Sequence, residues 1–314
     1  MKYLVTGGAG FIGSNIVDEL VRRDHEVTVL DDLSSGKKSN LELVANRVRF
    51  IQGTITDLST VKRASEGMDY VIHLAARTSV PQSVKDPIDT NRVNIDGTLN
   101  VFVAARDAKV RRVVYAASSA AYGESPTLPK VETMHADPIS PYGLTKYVGE
   151  LYAHVFGKMC GLESACLRYF NVFGPRQDPT SAYSGVLSQF MLAVLEGRSP
   201  VIYGDGEQSR DFIYIENVVD LTLRAGETPG ASGVVLNGGT GQRITLNEVV
   251  RLLGELTGRK IVANYASPRE GDIRDSQADV SLAKQTLGYE PRVQFREGLA
   301  RTWEWYRQHY SAPK

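Results

Sequence analysis

The sequence has little of several features that mark particular classes of protein. Its 36 acidic and 36 basic residues cancel, so it lacks the basic excess that nucleic-acid-binding proteins usually carry. Its two cysteines, Cys160 and Cys166, have neither CxxC nor zinc-ligand spacing, and we expect both to be small buried residues in a reducing cytosol. No apolar run is long enough to cross a membrane, and Met1 leads directly into KYLV without the pattern of a signal peptide. A cytoplasmic globular protein with neither a nucleic acid nor a membrane as partner is therefore expected.

The sequence does contain an alternation of β-rich runs and helical patterns. The runs are KYLVT (2–6), EVTVLD (26–31), VRFIQG (48–53), YVIHLA (70–75), RRVVYAAS (111–118) and ESACLRY (163–169). We expect helices in the intervals between them, and such repetition predicts an α/β fold with a parallel sheet covered on both faces. With 314 residues, the chain is long enough for one large domain or two moderate ones.

The pattern changes after Tyr169. Residues 171–185 are rich in Gly, Pro and Ser and are predicted to form a long loop of the kind that often carries function. A helix at 186–196, a strand and turn at 233–241, and helices near 245–257, 280–287 and 296–309 follow. Because no linker separates these elements from the first half, the two lobes are expected to be interleaved in sequence.

A glycine-rich turn between the first strand and the first helix predicts a dinucleotide site. In VTGGAGFIG, Gly8, Gly10 and Gly13 match G-x-G-x-x-G, which lets the backbone approach a pyrophosphate at the helix N-terminus. Asp31 ends the second strand 18 residues after Gly13, where a carboxylate binds the adenosine ribose hydroxyls. The same carboxylate would repel a 2′-phosphate, so NAD is favoured over NADP.

The segment SPYGLTKY (140–147) contains a candidate catalytic pair. Tyr142 and Lys146 are four residues apart in a helix that Ser140 and Pro141 are expected to begin, so they share one helix face. A lysine ammonium near a phenol is expected to lower the pKa of the tyrosine and allow proton transfer at neutral pH. Ser118 ends the strand VVYAAS at the carboxyl edge of the sheet, where a hydroxyl can bind a substrate oxygen.

These motifs, in this order, resemble the extended short-chain dehydrogenase/reductases. The shared stretches are Gly7/Gly10/Gly13, Asp31, HLAA, SSAAYG and YGLTK, and then RYFNVFGPRQDP, SRDFIYI and REGDIRDSQAD, so the similarity covers nearly the whole chain. Within that family the sequence is most similar to the nucleotide-sugar 4-epimerases. The resemblance implies a Rossmann-type doubly wound parallel sheet with a smaller interleaved α/β substrate lobe. It places the NAD-binding domain at 1–170, with a return segment at about 212–237, and the substrate lobe at 171–211 and 238–314.

The resemblance also implies a tightly held NAD and a role for each site residue. Tyr142 takes the proton of the sugar 4-hydroxyl, Lys146 binds the nicotinamide ribose, and Ser118 hydrogen-bonds the reacting oxygen. NAD takes the hydride from C4 and returns it to the other face of the rotated keto sugar. The residues expected at the cofactor are Gly7, Gly10, Phe11, Ile12, Gly13, Asp31, Asp32, Asp57, Leu58, Leu74, Ala75, Ala76, Tyr142, Lys146 and Tyr169. Those expected at the UDP-sugar are Ser79, Ser118, Tyr142, Asn171, Arg210, Arg269, Asp272 and Ser276.

Several reactions and substrates remain open on these residues. The family's 4,6-dehydratases carry an Asp-Glu pair just after the position of Ser118, but Ser119 and Ala120 stand here, which disfavours dehydration. A UDP-glucuronate epimerase or decarboxylase, a net reductase and a non-catalytic NAD sensor stay as alternatives. The small side chain of Ser276, together with the loop at 81–83, favours UDP-N-acetylglucosamine and UDP-N-acetylgalactosamine, with UDP-glucose and UDP-galactose also possible substrates. By analogy with the family, the protein is expected to form a homodimer through residues 94–108 and 141–157.

Overall fold

The computed structural model describes residues 1–180, 185–268 and 273–310. The strands are β1 Lys2–Thr6, β2 Glu26–Asp31, β3 Val48–Gln52, β4 Tyr70–His73, β5 Arg112–Ser118, β6 Glu163–Tyr169, β7 Asn171–Phe173, β8 Val201–Tyr203, β9 Ser209–Arg210, β10 Phe212–Tyr214, β11 Val234–Gly238, β12 Ile244–Thr245 and β13 Asn264–Ala266. The helices are α1 Phe11–Arg22, α2 Leu58–Ser65, α3 Val80–Lys85, α4 Pro87–Asn91, α5 Gly97–Asp107, α6 Pro141–Cys160, α7 Val186–Leu195, α8 Ile215–Glu227, α9 Leu246–Thr257, α10 Ser281–Leu287 and α11 Phe295–Tyr310.

Within the described residues, seven parallel strands form the central sheet in the order β11-β6-β5-β4-β1-β2-β3. Successive residues of a strand face opposite sides, so Val5 and Val29 lie in one apolar layer and Leu4 and Leu30 in the other. The first layer contains residues of α1 and α8, and the second contains residues of α2, α5 and α6. Both faces are therefore buried, which explains the nearly continuous apolar runs. The predicted fold class is confirmed.

The smaller lobe is built from short strand pairs beside the sheet. β7 pairs with β10, β8 with β13, and β9 with β12. The chain leaves the sheet after Tyr169 and rejoins it at Val234, where β11 pairs with β6. The exact domain boundaries given above remain predictions, but this path through α8 and β11 is the interleaving that the sequence suggested.

Three local expectations were wrong. The interval between β2 and β3 contains 3₁₀ turns over Lys38–Arg47 instead of an α-helix, and the Asn40 amide donates to the Ala9 carbonyl there at 2.9 Å. Residues 81–83 lie in α3 and not in a loop. Cys160 is exposed at the end of α6, whereas Cys166 on β6 is buried as expected.

The carboxyl ends of β1, β2, β4, β5 and β6 meet at one edge of the sheet, and they end at Thr6, Asp31, His73, Ser118 and Tyr169. Ligands of open parallel sheets bind outside this edge. In the part of the chain that the structure describes, no helix combines the length and apolar character needed to span a membrane.

Candidate active site

The turn between β1 and α1 is shaped so that only glycine fits at two positions. Gly7 has φ +71, and a Cβ there would lie 2.8 Å from the Ala75 nitrogen. A Cβ on Gly13 would lie 2.2 Å from the carbonyl oxygen of Gly7. These are backbone atoms that cannot move aside, so the turn stays tight only without side chains. The resulting surface allows close approach of a ligand to the main chain.

The N-terminus of α1 is suited to a phosphate. Gly10 is the N-cap, and no side chain of the described residues makes a capping hydrogen bond to this end. The N–H groups of Phe11, Ile12 and Gly13 lie in the first turn, where N–H groups have no partner within the helix and the helix dipole is positive. A diphosphate bound there would satisfy them.

Asp31 lies at the end of β2 beside this turn, and it is 6% exposed. Its carboxylate accepts hydrogen bonds from Ala9 N at 2.9 Å and from Leu33 N at 2.8 Å. Burial raises the pKa of Asp31, while the backbone hydrogen bonds from Leu33 and Ala9 lower it. Each carboxylate oxygen keeps acceptor capacity for a hydroxyl group of a ligand. Asp32 also borders the cavity and accepts from Ser34 N at 2.9 Å.

A cavity of about 820 Å³ joins the glycine turn to the tyrosine and lysine. Fourteen predicted residues line it: Gly7, Gly10, Phe11, Ile12, Gly13, Asp31, Asp32, Leu74, Ala75, Ala76, Ser118, Tyr142, Lys146 and Tyr169. Two predicted cofactor residues are not among the lining residues. Asp57 caps α2 by accepting from Ser59 N at 3.0 Å, and Leu58 is 36% exposed. Ile55, two residues before Asp57, lines the cavity in that region and was missed.

Tyr142 is held at the start of α6 by contacts from two directions. Ser140 caps the helix by accepting from Gly143 N at 3.1 Å, and Pro141 is its first residue, as predicted. The Tyr142 backbone N–H donates to the Ser83 hydroxyl at 3.1 Å. The sequence connected residues 81–83 with the sugar but did not predict this contact of the buried Ser83, which lies 59 residues from Tyr142.

The pKa of Tyr142 is raised, which is opposite to the expectation from the sequence. Burial disfavours the phenolate, and a side-chain hydrogen bond with Ser118 only partly offsets that effect. Lys146 is not among the causes of this shift. Burial of the phenol therefore favours its protonated form, against the effect expected of a lysine one turn away.

Lys146 is 4% exposed, and its Nζ lies 4.7 Å from the centre of the Tyr115 ring. Burial lowers the pKa of Lys146 to about 8, while the negative charge of Glu150 raises it. The ring of Tyr115 is fixed because its hydroxyl donates to the Lys146 carbonyl at 3.2 Å. The lysine therefore lies in the cavity wall as a buried cation whose charge depends on its neighbours.

Three predicted substrate residues lie together in the smaller lobe. The Asn171 amide donates to the Ser276 hydroxyl at 3.2 Å, and Ser276 N donates to Ser209 O at 3.1 Å, next to Arg210. None of the three is among the cavity-lining residues, although Phe170 and Val172 on either side of Asn171 are. Ser79 caps α3 and is likewise outside the lining. Arg269 and Asp272 lie outside the described residues, so their roles stay predictions.

Asp211 organises this group and was missed in the sequence. It is fully buried and accepts hydrogen bonds from Thr240 N at 2.8 Å, Gly241 N at 2.9 Å and Ala278 N at 3.0 Å. Its own carbonyl accepts from Asn171 N at 3.1 Å. A single carboxylate thus ties three segments together. It lies within the shared stretch SRDFIYI, but that stretch does not indicate its partners, which are 29 to 67 residues away.

Comparison with known proteins adds independent support. Residues 3–239 match the model of the NAD dependent epimerase/dehydratase family. A UDP-glucose 4-epimerase from Mycolicibacterium smegmatis is 40% identical over 98% of this chain and 99% of its own length. A UDP-N-acetylglucosamine 4-epimerase from Methanobrevibacter ruminantium, solved with UDP-N-acetylmuramic acid, superposes with a TM-score of 0.94 at 40% identity, covering 98% of each chain. A UDP-glucose 4-epimerase of Thermus thermophilus, solved with NAD, gives a TM-score of 0.89 at 37% identity, covering 98% of this chain and 99% of that one.

The glycine turn, the uncapped helix end and the carboxylate of Asp31 fit NAD, which is the cofactor of the proteins that these comparisons identify. We call the glycine turn, the N-terminus of α1 and Asp31 the dinucleotide cradle. Both the sequence match and the structural likeness extend beyond this cradle into the smaller lobe. The chain therefore belongs to the NAD dependent epimerase/dehydratase family.

Proposed function

We propose that this protein is a UDP-hexose 4-epimerase that keeps its NAD bound through the catalytic cycle. The observation that carries the proposal is that Ser118, Tyr142 and Lys146 line the same cavity as the dinucleotide cradle. A sugar hydroxyl beside Tyr142 would then lie next to the cofactor. Transient oxidation at C4, rotation of the keto sugar and reduction from the other face would invert that centre.

The roles of the three side chains follow from their chemistry. Tyr142 accepts the proton of the 4-hydroxyl and later returns it, and Ser118 donates a hydrogen bond to the same oxygen. Bound NAD supplies the hydride acceptor and a positive charge near the phenol. A positive charge near the phenol opposes the effect of burial, which raises the pKa of Tyr142, and so favours the phenolate that accepts the proton. Lys146 donates to the nicotinamide ribose and contributes its own positive charge.

Retention of the cofactor is supported by contacts that cross the cavity. Lys37, in the loop after β2, pairs with Asp178 of the smaller lobe at 2.6 Å, and both residues line the cavity. On the other side, the Arg77 guanidinium donates to Ser34 Oγ at 2.6 Å and to Asp89 at 2.9 Å. These bridges connect segments that line the cavity and would hinder the departure of a dinucleotide bound there.

For the sugar, we favour UDP-N-acetylglucosamine and UDP-N-acetylgalactosamine, with UDP-glucose and UDP-galactose as further substrates. Ser276 is small, 8% exposed and hydrogen-bonded to Asn171. A larger side chain there would displace this hydrogen bond to Asn171, another predicted substrate residue. Replacing Ser276 with Tyr is expected to reduce turnover of the N-acetylated sugars more than that of UDP-glucose. Equal losses on both would contradict this assignment.

We also propose a cytoplasmic homodimer. The outer side of α6 carries Leu144, Leu151, Val155 and Met159, which are 50%, 47%, 49% and 79% exposed. A contiguous patch of exposed apolar residues often marks a surface that binds another protein. α6 packs beside α5, which agrees with pairing through both helices.

The decisive experiment is proton NMR of the protein with UDP-N-acetylglucosamine, UDP-glucose and UDP-glucuronate in separate tubes, without added NAD. A growing anomeric signal of the galacto product is expected, fastest with the N-acetylated sugar. Carbon dioxide release and a pentose product would instead indicate the decarboxylase. Silence in every tube, also after NAD is added, would reject the epimerase and favour a reductase or an NAD sensor.

A matched pair of variants tests the assigned base. Tyr142→Phe is expected to abolish turnover and keep NAD bound. Tyr147→Phe removes a hydroxyl from the same helix, at a residue that is not among the cavity-lining ones, and is expected to leave turnover unchanged. Near-normal turnover by Tyr142→Phe would refute the assignment.

A further inference from the structure

Beneath the cavity, α6 and β6 are joined by a buried ion pair. The Glu150 carboxylate accepts from Arg168 Nε at 2.8 Å and from Arg168 Nη2 at 2.7 Å, and both side chains are 4% exposed. The Arg168 guanidinium also lies 4.6 Å from the centre of the Tyr122 ring. Neither Glu150 nor Arg168 lines the cavity, so neither can touch a bound cofactor directly.

Fold stability alone gives no reason for this pair. Removing two charges from water is expensive, and well-packed apolar residues often serve as well in the same place. Here the cost is increased because Arg168 Nη1 is buried without a hydrogen-bond partner in the described structure. A pair that is costly and incompletely satisfied calls for a role other than packing.

Its position relative to Lys146 suggests that role. Glu150 follows Lys146 by one helical turn, so the two side chains lie on the same face of α6. The titratable and charged groups around Lys146 are Tyr142 and Glu150 on α6, Tyr115 on β5, Cys166 and Arg168 on β6, and His73 on β4.

Most of these neighbours are uncharged at neutral pH. Burial raises the pKa values of Tyr115, Tyr142 and Cys166, and burial lowers that of His73 to about 3. Arg168 is the cation that pairs with Glu150. Of the neighbours that the structure describes, Glu150 therefore provides the negative charge that balances Lys146.

We propose that Glu150 and Arg168 are positioning residues for the epimerase reaction: Arg168 fixes the Glu150 carboxylate one turn from Lys146, and that carboxylate keeps the lysine an ammonium in the cavity. The inference rests on the proposed function. An ammonium can donate to the ribose and favour the phenolate of Tyr142, whereas a neutral amine cannot supply that charge.

The test is the pH profile of turnover between pH 6 and 9. Lys146 loses its proton as the pH rises through about 8, so the wild-type rate is expected to fall on the alkaline side of that value. In Glu150→Gln this alkaline limb of the pH profile, where the rate falls, is expected to move to a lower pH by about one unit. Turnover then drops about five-fold at pH 8 but by only about a tenth at pH 6. Arg168→Met removes the side chain that fixes the Glu150 carboxylate, so the alkaline limb is expected to move in the same direction by a smaller amount.

A control uses another arginine–glutamate pair with one partner on the same strand, in which a single carboxylate oxygen accepts both hydrogen bonds. Glu163 begins β6 and accepts from Arg112 Nε at 3.0 Å and Nη2 at 2.6 Å, at the opposite edge of the sheet. Glu163→Gln is expected to leave the profile unchanged. A Glu150→Gln profile with lower rates at every pH but an unmoved limb would overturn the proposal, because a purely structural role predicts that result.

Two further measurements cover the other outcomes. If Glu150→Gln does not fold, the double variant Glu150→Leu with Arg168→Met replaces the pair by apolar side chains and is again expected to shift the limb to lower pH; an unmoved limb overturns the proposal. If the wild type turns over none of the UDP-sugars, the proposed function fails separately. The affinity for NADH, measured from its fluorescence between pH 6 and 9, then gives the same comparison. As the pH rises, binding should begin to weaken at a lower pH in the variant than in the wild type. Identical pH profiles of affinity would overturn the inference.

Discussion

His73 predicts a specific response of stability to acid. It is 1% exposed at the end of β4, with Nδ1 2.7 Å from Thr6 Oγ1 and Nε2 3.0 Å from Thr98 Oγ1. Burial, helped by the positive charge of Lys146, lowers the pKa of His73 from 6.5 to about 3. The imidazole therefore stays neutral in the folded protein at pH values where it is protonated in the unfolded chain.

The sign of the effect follows from this difference. Between pH 6.5 and about 3 the unfolded state binds the extra proton, so the stability contributed by neutral His73 is complete above pH 6.5 and is lost as the pH falls. Each pH unit within that window costs about 1.4 kcal/mol, which gives about 2 kcal/mol between pH 7 and pH 5. A loss of this size is a substantial part of the stability of a typical domain.

The assay is urea unfolding of wild type, His73→Gln and His135→Gln at a fixed NAD concentration, since bound ligand also shifts stability. His73→Gln is expected to lower the free energy of unfolding at pH 7, because its amide replaces two good hydrogen bonds imperfectly. Near pH 5, the free energy of unfolding of His73→Gln should change with pH less steeply than that of wild type, by about 1.4 kcal/mol per pH unit. His135→Gln changes an exposed side chain and should keep the wild-type dependence of the free energy of unfolding on pH. Equal slopes in wild type and His73→Gln would refute the reasoning.

Three other predictions concern the cradle and the outer surface. Gly13→Ala should lose NAD when bound cofactor is assayed, because its methyl would lie 2.2 Å from a backbone oxygen. Gly157→Ala, where the nearest atom is 3.7 Å away, should keep NAD and raise the free energy of unfolding by up to about 1 kcal/mol. NAD retained by Gly13→Ala would contradict the proposed binding turn. Asp31→Asn should weaken NAD binding about ten-fold or more by calorimetry, since charged hydrogen bonds to the ribose are lost, and unchanged affinity would remove Asp31 from the site. Leu151→Glu should give a monomer in light scattering, and a persistent dimer would place the interface elsewhere.

Fourteen of the residues predicted at the site line the cavity, because their positions depend on local patterns. The glycine turn, the start of α6 and the ends of β2 and β5 are each specified by a few adjacent residues. A parallel sheet then brings those ends together without further information, because its strands all finish at one edge. This is why Ser118 and Lys146, which are 28 residues apart, could be predicted to share a cavity.

The residues that were missed depend on contacts over long distances in the chain. Ser83 positions Tyr142 from 59 residues away, and Asp211 binds Ala278 from 67 residues away. No periodicity or motif connects such pairs. The adenine contact expected of Asp57 stays a prediction: its carboxylate caps α2, and Asp57 is not among the residues that line the cavity.

The reversed shift at Tyr142 shows why spacing does not determine chemistry. A lysine one turn away favours a phenolate, but burial of the phenol acts against it, and in this protein burial has the larger effect. Burial also lowers the pKa of Lys146, so the positive charge of the lysine depends on Glu150. Burial thus favours the protonated form of Tyr142, and additional positive charge beside the phenol would favour the phenolate. A retained NAD would provide that charge at every turnover, which gives a physical reason why retention and proton transfer belong to the same design.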